Sequence, residues 1–279
     1  MLSVWEALKR GTEELKEISP TPELDARVLL GHVTARSHLE LIVDRTRLLS
    51  PSELEDYLAC LARRKKHEPV AYIVNRREFM GLDFYVDGRV LIPRPDTETL
   101  VEAVLERSKG WIRPRILDLG CGSGAVGLAL AHYHPESVVT LADRSRGALE
   151  VARKNALDLG LEVAIIESDL FEGIRGEYEV VVSNPPYIDS GAYETLSPSV
   201  KDFEPREALW APNKGLAYYE RILLKAREHL APRGLLALET GHDQKDPVVA
   251  LLKAGGYHEI EVIRDLGGHH RVVLGLRGE

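Results

Sequence analysis

The stretch richest in chemistry is Asn184-Pro185-Pro186-Tyr187, which directly follows the apolar run Val180-Val181-Val182-Ser183. Such a run reads as a buried strand, so an amide, two prolines and an aromatic ring fall at its carboxyl end. Proline fixes φ and removes the backbone donor, which leaves the carbonyls of this corner rigid and free to accept. Asn184 adds a side-chain carbonyl. Together these oxygens, on Asn184 and the Pro185-Pro186 corner, can grip both hydrogens of a planar –NH2 group while Tyr187 packs against its face. Amide and exocyclic amine nitrogens are poor nucleophiles because the lone pair is delocalised. Acceptors pulling on the N–H bonds stabilise the charge that develops during attack, and a stiff corner sets the attack geometry. The expected reaction is N-methylation by in-line displacement, with the extra proton leaving afterwards to solvent.

A methyl donor needs its own site. Arg115-Ile116-Leu117-Asp118-Leu119-Gly120-Cys121-Gly122-Ser123-Gly124 reads as a strand, a glycine-rich turn and the start of a helix. The spacing is G-x-G-x-G after Asp118, not the G-x-G-x-x-G of a pyrophosphate site. A carboxylate there opposes phosphates but suits the ammonium of a methionine moiety, which favours S-adenosyl-L-methionine over a dinucleotide. Asp143, after the next strand, is placed for ribose hydroxyls. Asp169 is placed for an adenine amino group, with apolar Leu170 beside the ring. The expected cofactor set is therefore Asp118, Gly120, Cys121, Gly122, Ser123, Gly124, Asp143, Asp169 and Leu170, joined by Asn184. Cys121 has no base near it in sequence and reads as a small filler, not a nucleophile.

The elements that must position these residues follow from periodicity. Residues 1–75 read as helices: Leu2, Trp5 and Leu8 recur at helical spacing, and Thr21-Pro22 puts a capping residue and an N1 proline before Leu24, Val28 and Leu29. Ser50-Pro51-Ser52-Glu53 is a capping box ahead of Leu54, Tyr57, Leu58 and Leu61. Residues 76–92 read as a β-hairpin linker, with Asp87-Gly88 as its turn. From residue 93 to 279 strands and helices alternate, the mark of a mostly parallel, doubly wound α/β sheet. The short connection from Arg264 to Arg271 makes the last two strands antiparallel.

Composition limits the partners. The 279 residues are 44% hydrophobic and 29% charged, with a net charge of −8. Such a chain builds a soluble core and has no long-range attraction for a polyanion. The dense basic cluster, Arg63-Arg64-Lys65-Lys66, reads as a solvated helix end. No apolar run approaches bilayer length, and the N-terminus is an acid-bearing amphipathic helix, so a cytoplasmic monomer is expected. Cys60 and Cys121 form neither a disulfide framework nor a metal cluster.

Taken together these motifs resemble class I methyltransferases, and more narrowly the HemK/PrmC family of protein-(glutamine-N5) methyltransferases. The narrower marks are Pro69-Val70-Ala71-Tyr72-Ile73, Glu78-Phe79-Met80-Gly81-Leu82, Leu91-Ile92-Pro93-Arg94-Pro95-Asp96-Thr97-Glu98 and Phe203-Glu204-Pro205. The resemblance implies a Rossmann-like seven-stranded sheet and a helical substrate-recognition domain. It also implies release factors as partners, with the glutamine of their Gly-Gly-Gln loop held by Asn184, the Pro185 carbonyl and Tyr187. Arg94 and Glu98 would lie beside the cofactor pocket. Asn75 stands where family members often carry glycine. Because Asn-Pro-Pro-Tyr also serves DNA adenine methyltransferases, methylation of a nucleic-acid amino group is the alternative reading.

Overall fold

The computed structural model describes residues 2–279. The chain forms two compact units: one holds the residues up to Arg76 together with Ser197–Phe203, the other Arg77–Leu196 with Glu204–Glu279.

The smaller unit is helical. Its main helices are Val4–Leu15, Pro22–Thr34 and Pro51–Arg64, with short ones at His38–Val43 and Val70–Ile73. Ser50 and Glu53 make the expected reciprocal cap. Thr21 does not cap: Pro22 takes the first helical position, but the Thr21 hydroxyl makes no bond to the helix backbone. Two hydrophobic faces are rotated from expectation in part: Leu29 is buried and Leu2 and Leu8 pack against the core, but Trp5, Leu24 and Val28 stay exposed. Val4, Ala7 and Leu15 are buried while Trp5 is exposed, and Ala26, Leu29 and Leu30 are buried while Leu24 and Val28 are not. Tyr57 sets the first rotation, because its hydroxyl fills the space where a Cβ on Gly11 would stand. Asp25 and Arg64 set the second, forming a buried ion pair at 2.7 Å that needs Asp25 facing inward. Arg64 also donates to Ser199 Oγ at 3.2 Å, tying in the returning segment. With Arg63 on Glu68 and Lys65 on Glu14, much of the basic cluster is neutralised by acids. Asn75 has φ of 51°, a left-handed conformation that asparagine tolerates better than other residues with a Cβ.

The larger unit opens with the hairpin of β1 (Arg77–Phe79) and β2 (Leu82–Phe84). Its turn is Met80-Gly81, with φ of 51° and 71°, and not Asp87-Gly88. The Asp87 carboxylate instead accepts from the Arg89 backbone and guanidinium, which fixes a loop. The main sheet has seven strands: β3 (Arg115–Leu119), β4 (Val138–Asp143), β5 (Ala164–Glu167), β6 (Tyr178–Ser183), β7 (Leu230–Glu239), β8 (Tyr257–Arg264) and β9 (His270–Arg277). Their spatial order is β5-β4-β3-β6-β7-β9-β8. All neighbours are parallel except β7–β9 and β8–β9, so this is the expected mostly parallel sheet with its antiparallel end. Alternate residues feed two cores. Ile116, Val180 and Leu235 face one helical layer, with Leu128 and Val104, while Leu117, Val181 and Leu236 face the other, with Tyr219 and Ile222.

Candidate active site

The winding reverses between β3 and β6, because β4 and β5 build outward on one side of β3 and β6 begins the other. Crevices at such reversals, beyond the strands' carboxyl ends, are where α/β sheets bind ligands. Here the two ends are pinned together: Leu119 and Ser183 are register partners, and Ser183 Oγ donates to the Leu119 carbonyl at 2.7 Å.

Beyond them lies a cleft enclosing about 750 Å³, open mouth included. Gly120, Gly122, Asp143, Asp169, Leu170, Asn184, Pro185 and Pro186 all lie on its wall. The glycine loop is held by Gly120 and Cys121 N–H groups donating to the Ala142 carbonyl at 2.8 and 3.0 Å. Asp143 then accepts from Gly122 N at 2.9 Å and Ser145 N at 2.8 Å. Burial pushes its pKa up, and those two N–H groups pull it back. Gly120 and Gly122 have φ of 70° and 53°, and a Cβ at either would meet nothing within 4 Å. The backbone therefore needs glycine for conformation, and the side a Cβ would occupy stays open for a ligand. Asp169 accepts from Arg221 at 2.8 Å, which fixes one carboxylate oxygen.

Four residues of the cofactor motif and one acceptor residue lie off the wall. Asp118 falls on the alternation that faces the helix Ala125–Tyr133. It is 1% exposed, and its Oδ2 accepts from Gly127 N at 2.8 Å, so its carboxylate serves the helix start. Burial pushes its pKa up to about 7. Ser123 turns its carbonyl to Asn155 Nδ2, and Gly124 packs against Leu128, Leu141 and Ala152. Cys121 is buried, with its thiol pKa raised by that burial, which disfavours the thiolate a nucleophile needs. Tyr187 packs on the core, and its hydroxyl lies 3.4 Å from Glu239 Oε1.

Several site residues were given no role by the sequence. Ser145, Tyr218, Arg89 and Val90 line the cleft although each belongs to a loop or helix without a motif, and Leu91, the first residue of a stretch that marks the family resemblance, lines it with them. Thr97 receives Asn184 Nδ2 at 3.2 Å, and Glu239 ends β7 beside them, 1% exposed. Burial pushes Glu239 up to about 7, opposed by hydrogen bonds from Thr97 and Tyr187 and by the charge of Arg271.

Residues 6–74 match the model for the PrmC N-terminal domain, and residues 95–198 the model for the Methyltransferase small domain. A release factor glutamine methyltransferase of Clostridium acetobutylicum is 39% identical over 283 residues, covering 99% of both chains. The chain belongs to the release factor glutamine methyltransferase family. Another member, from Escherichia coli, is 38% identical over 93% of this chain and 94% of its own. A methyltransferase from Pyrococcus furiosus shares the fold, with a TM-score of 0.54 at 19% identity over 78% of this chain and 98% of that one. Two stretches that mark the family resemblance meet in the structure. Glu204, 4% exposed, accepts from Ile92 N at 3.1 Å and pairs with Arg94. Glu98 accepts from Met80 N at 2.8 Å. Neither Arg94 nor Glu98 lines the cleft; both hold the Pro95–Thr97 turn against its surroundings.

Proposed function

We propose that the protein transfers the methyl group of S-adenosyl-L-methionine to the side-chain nitrogen of the glutamine in the Gly-Gly-Gln motif of release factors, leaving S-adenosyl-L-homocysteine. One observation carries this reading: the Asn184-Pro185-Pro186 corner and the glycine loop with Asp143 border the same cleft. The open flank of Gly120 and Gly122 fits the methionine end of the cofactor. Asp143, with oxygens held by backbone N–H groups and lone pairs remaining, fits the ribose, and Asp169 with Leu170 fits the adenine.

When bound, the cofactor supplies a methyl carbon made electrophilic by its sulfonium. The protein's part is to make a poor nucleophile attack it. Asn184 Oδ1 and the Pro185 carbonyl accept from the two amide hydrogens and turn the nitrogen lone pair toward the methyl carbon. As the N–C bond forms and the C–S bond breaks, positive charge grows on nitrogen, and those two oxygens stabilise it. The proton then leaves to solvent. The cleft described above is built by residues of the larger unit, and the helical unit, which matches the PrmC N-terminal domain, is assigned the holding of the rest of the release factor. Deleting residues 1–76 is expected to cut release-factor methylation far more than cofactor affinity; unchanged methylation would remove that role.

The test supplies the enzyme with labelled S-adenosyl-L-methionine, a release factor and total nucleic acid, followed by mass spectrometry of both polymers. The methyl group is expected on one glutamine. A methylated base with unmodified protein would establish the nucleic-acid alternative instead.

A further inference from the structure

Proline fixes φ but leaves ψ free, so the Pro185 carbonyl can swing unless the chain is held on both sides of the corner. Neither Pro185 nor Pro186 has an N–H, and the corner cannot anchor itself by donating at those positions. On the entry side β6 supplies the anchor, with Ser183 in register with Leu119 of β3 and Leu238 of β7. On the exit side a side chain does the holding.

That side chain is Gln244, a buried residue between β7 and the helix Lys245–Ala254. Its Nε2 donates to the Tyr187 carbonyl at 2.9 Å and to the Lys214 carbonyl at 3.3 Å. Its Oε1 accepts from the Gly241 N–H at 3.2 Å. These partners decide which end of the amide is which, because the two carbonyls can only accept and the backbone N–H can only donate. Gly215, with φ of 82°, lets the turn Pro212–Gly215 close onto the contact. A Cβ there would stand 2.1 Å from the Tyr187 carbonyl oxygen and 2.3 Å from Gln244 Nε2. One residue further on, the Ile188 N–H donates to the Leu209 carbonyl and the Ile188 carbonyl accepts from the Ala211 N–H, both at 2.9 Å. The Pro185 carbonyl therefore lies between two fixed points.

We infer that Gln244 is a positioning residue: by holding the Tyr187 carbonyl it sets where the Pro185 carbonyl stands against the acceptor nitrogen. The inference rests on the proposed methyl transfer to an amide. Gln244 itself lies off the cleft wall, so it acts through the corner and touches neither substrate. A primary amide suits the place, since one end offers two N–H bonds and the other accepts. A carboxylate of the same shape would set an oxygen against two carbonyl oxygens.

The test compares Gln244→Met, which keeps the length and loses every hydrogen bond, with Gln244→Glu, which keeps the shape and changes the donating end. Gln244→Met is expected to lower kcat on the release factor by about 10- to 100-fold, the loss typical when an outer partner that orients a functional group is removed. Affinity for S-adenosyl-L-methionine stays near that of the parent, because the glycine loop and Asp143 are held by other bonds. Gln244→Glu is slow at pH 8, where the ionised carboxylate repels the two carbonyls. Burial raises the pKa of such a carboxyl, and once protonated it again donates to the Tyr187 carbonyl. Its kcat divided by the parent's at the same pH is therefore expected to rise about tenfold from pH 8 to pH 6. The titratable group facing this amide, the Tyr219 hydroxyl 3.5 Å from Oε1, is held neutral throughout by its own burial. A Gln244→Met enzyme as fast as the parent, a Gln244→Glu ratio independent of pH, or a drop in cofactor affinity as large as the drop in turnover would each overturn the inference. The pH ratio is read within one folded variant, so it decides the matter even if Gln244→Met folds poorly. A parent that leaves the release factor's glutamine unmethylated would refute the proposed function, whereas a methylating parent with indifferent variants would refute this inference alone.

Discussion

At the scale of single residues, Asn184 carries more of the proposed chemistry than any other side chain, because its oxygen is the one acceptor not supplied by backbone. Truncating it leaves the Pro185 carbonyl in place but removes half of the grip on the nitrogen. Loss of one preorganised group facing a developing charge costs about 10²- to 10³-fold in kcat. Asn184→Ala is expected to lower kcat on a release factor by that much. Equilibrium titration should find affinity for S-adenosyl-L-methionine within about threefold of the parent, since the glycine loop and Asp143 are held by backbone bonds that do not involve Asn184. Parallel losses in binding and turnover would make the residue a structural one. Tyr187 has a different place from the one its ring suggested. It lies off the cleft wall, and burial and the neighbouring Glu239 push its phenol pKa up, so it serves as a neutral donor to that carboxyl group.

At the scale of elements, what the sequence disclosed depended on whether the signal was local. The strands of the larger unit were legible because each is a short apolar run, and the antiparallel end followed from a connection too short for a crossover. The acceptor corner was legible because proline restricts its own backbone whatever surrounds it. Helix faces in the smaller unit were less so. Trp5 and Leu24 are as apolar as their buried neighbours, and the choice of face was made by partners far along the chain, Tyr57 over Gly11 and Arg64 on Asp25. The hairpin turn shows a similar competition. Asp87-Gly88 has the better local chemistry, yet Met80-Gly81 forms the turn, with the Gly81 N–H on Glu78 at 2.6 Å and Met80 N–H on Glu98. Glu239 was invisible for the same reason: it forms no motif, and only strand register brings it beside Asn184, whereas Thr97 stood inside the Leu91–Glu98 family mark with no role assigned to it. Asp118 was found as a residue but not as an environment, because the side of the strand it faces depends on where the helix Ala125–Tyr133 packs.

At the scale of the whole molecule, the chain folds around carboxylates held in opposite ways. Glu14, Glu53 and Asp87 are drawn below the usual range chiefly by hydrogen bonds from Arg10, Arg47 and Arg89, and the stability they contribute is lost as pH falls through their folded-state values. Asp118 works in the other direction. Its pKa of about 7 lies above the ordinary value of 3.8, so between those limits the folded protein keeps a proton that the unfolded chain has released. Folded stability must therefore fall as pH rises through that window, and above it the full cost of a buried charge is present, at most about 4 kcal/mol. The titrations of the other acids mask this in the parent alone, but they cancel in a difference between two variants. Asp118→Asn keeps an oxygen for the Gly127 N–H and cannot ionise. Its melting temperature relative to the parent is expected to rise steadily from pH 5 to pH 8 and to level off beyond. A relative melting temperature that stays flat or falls across that range would mean that Asp118 is ionised in the folded protein at every pH tested, with the helix start outweighing its burial.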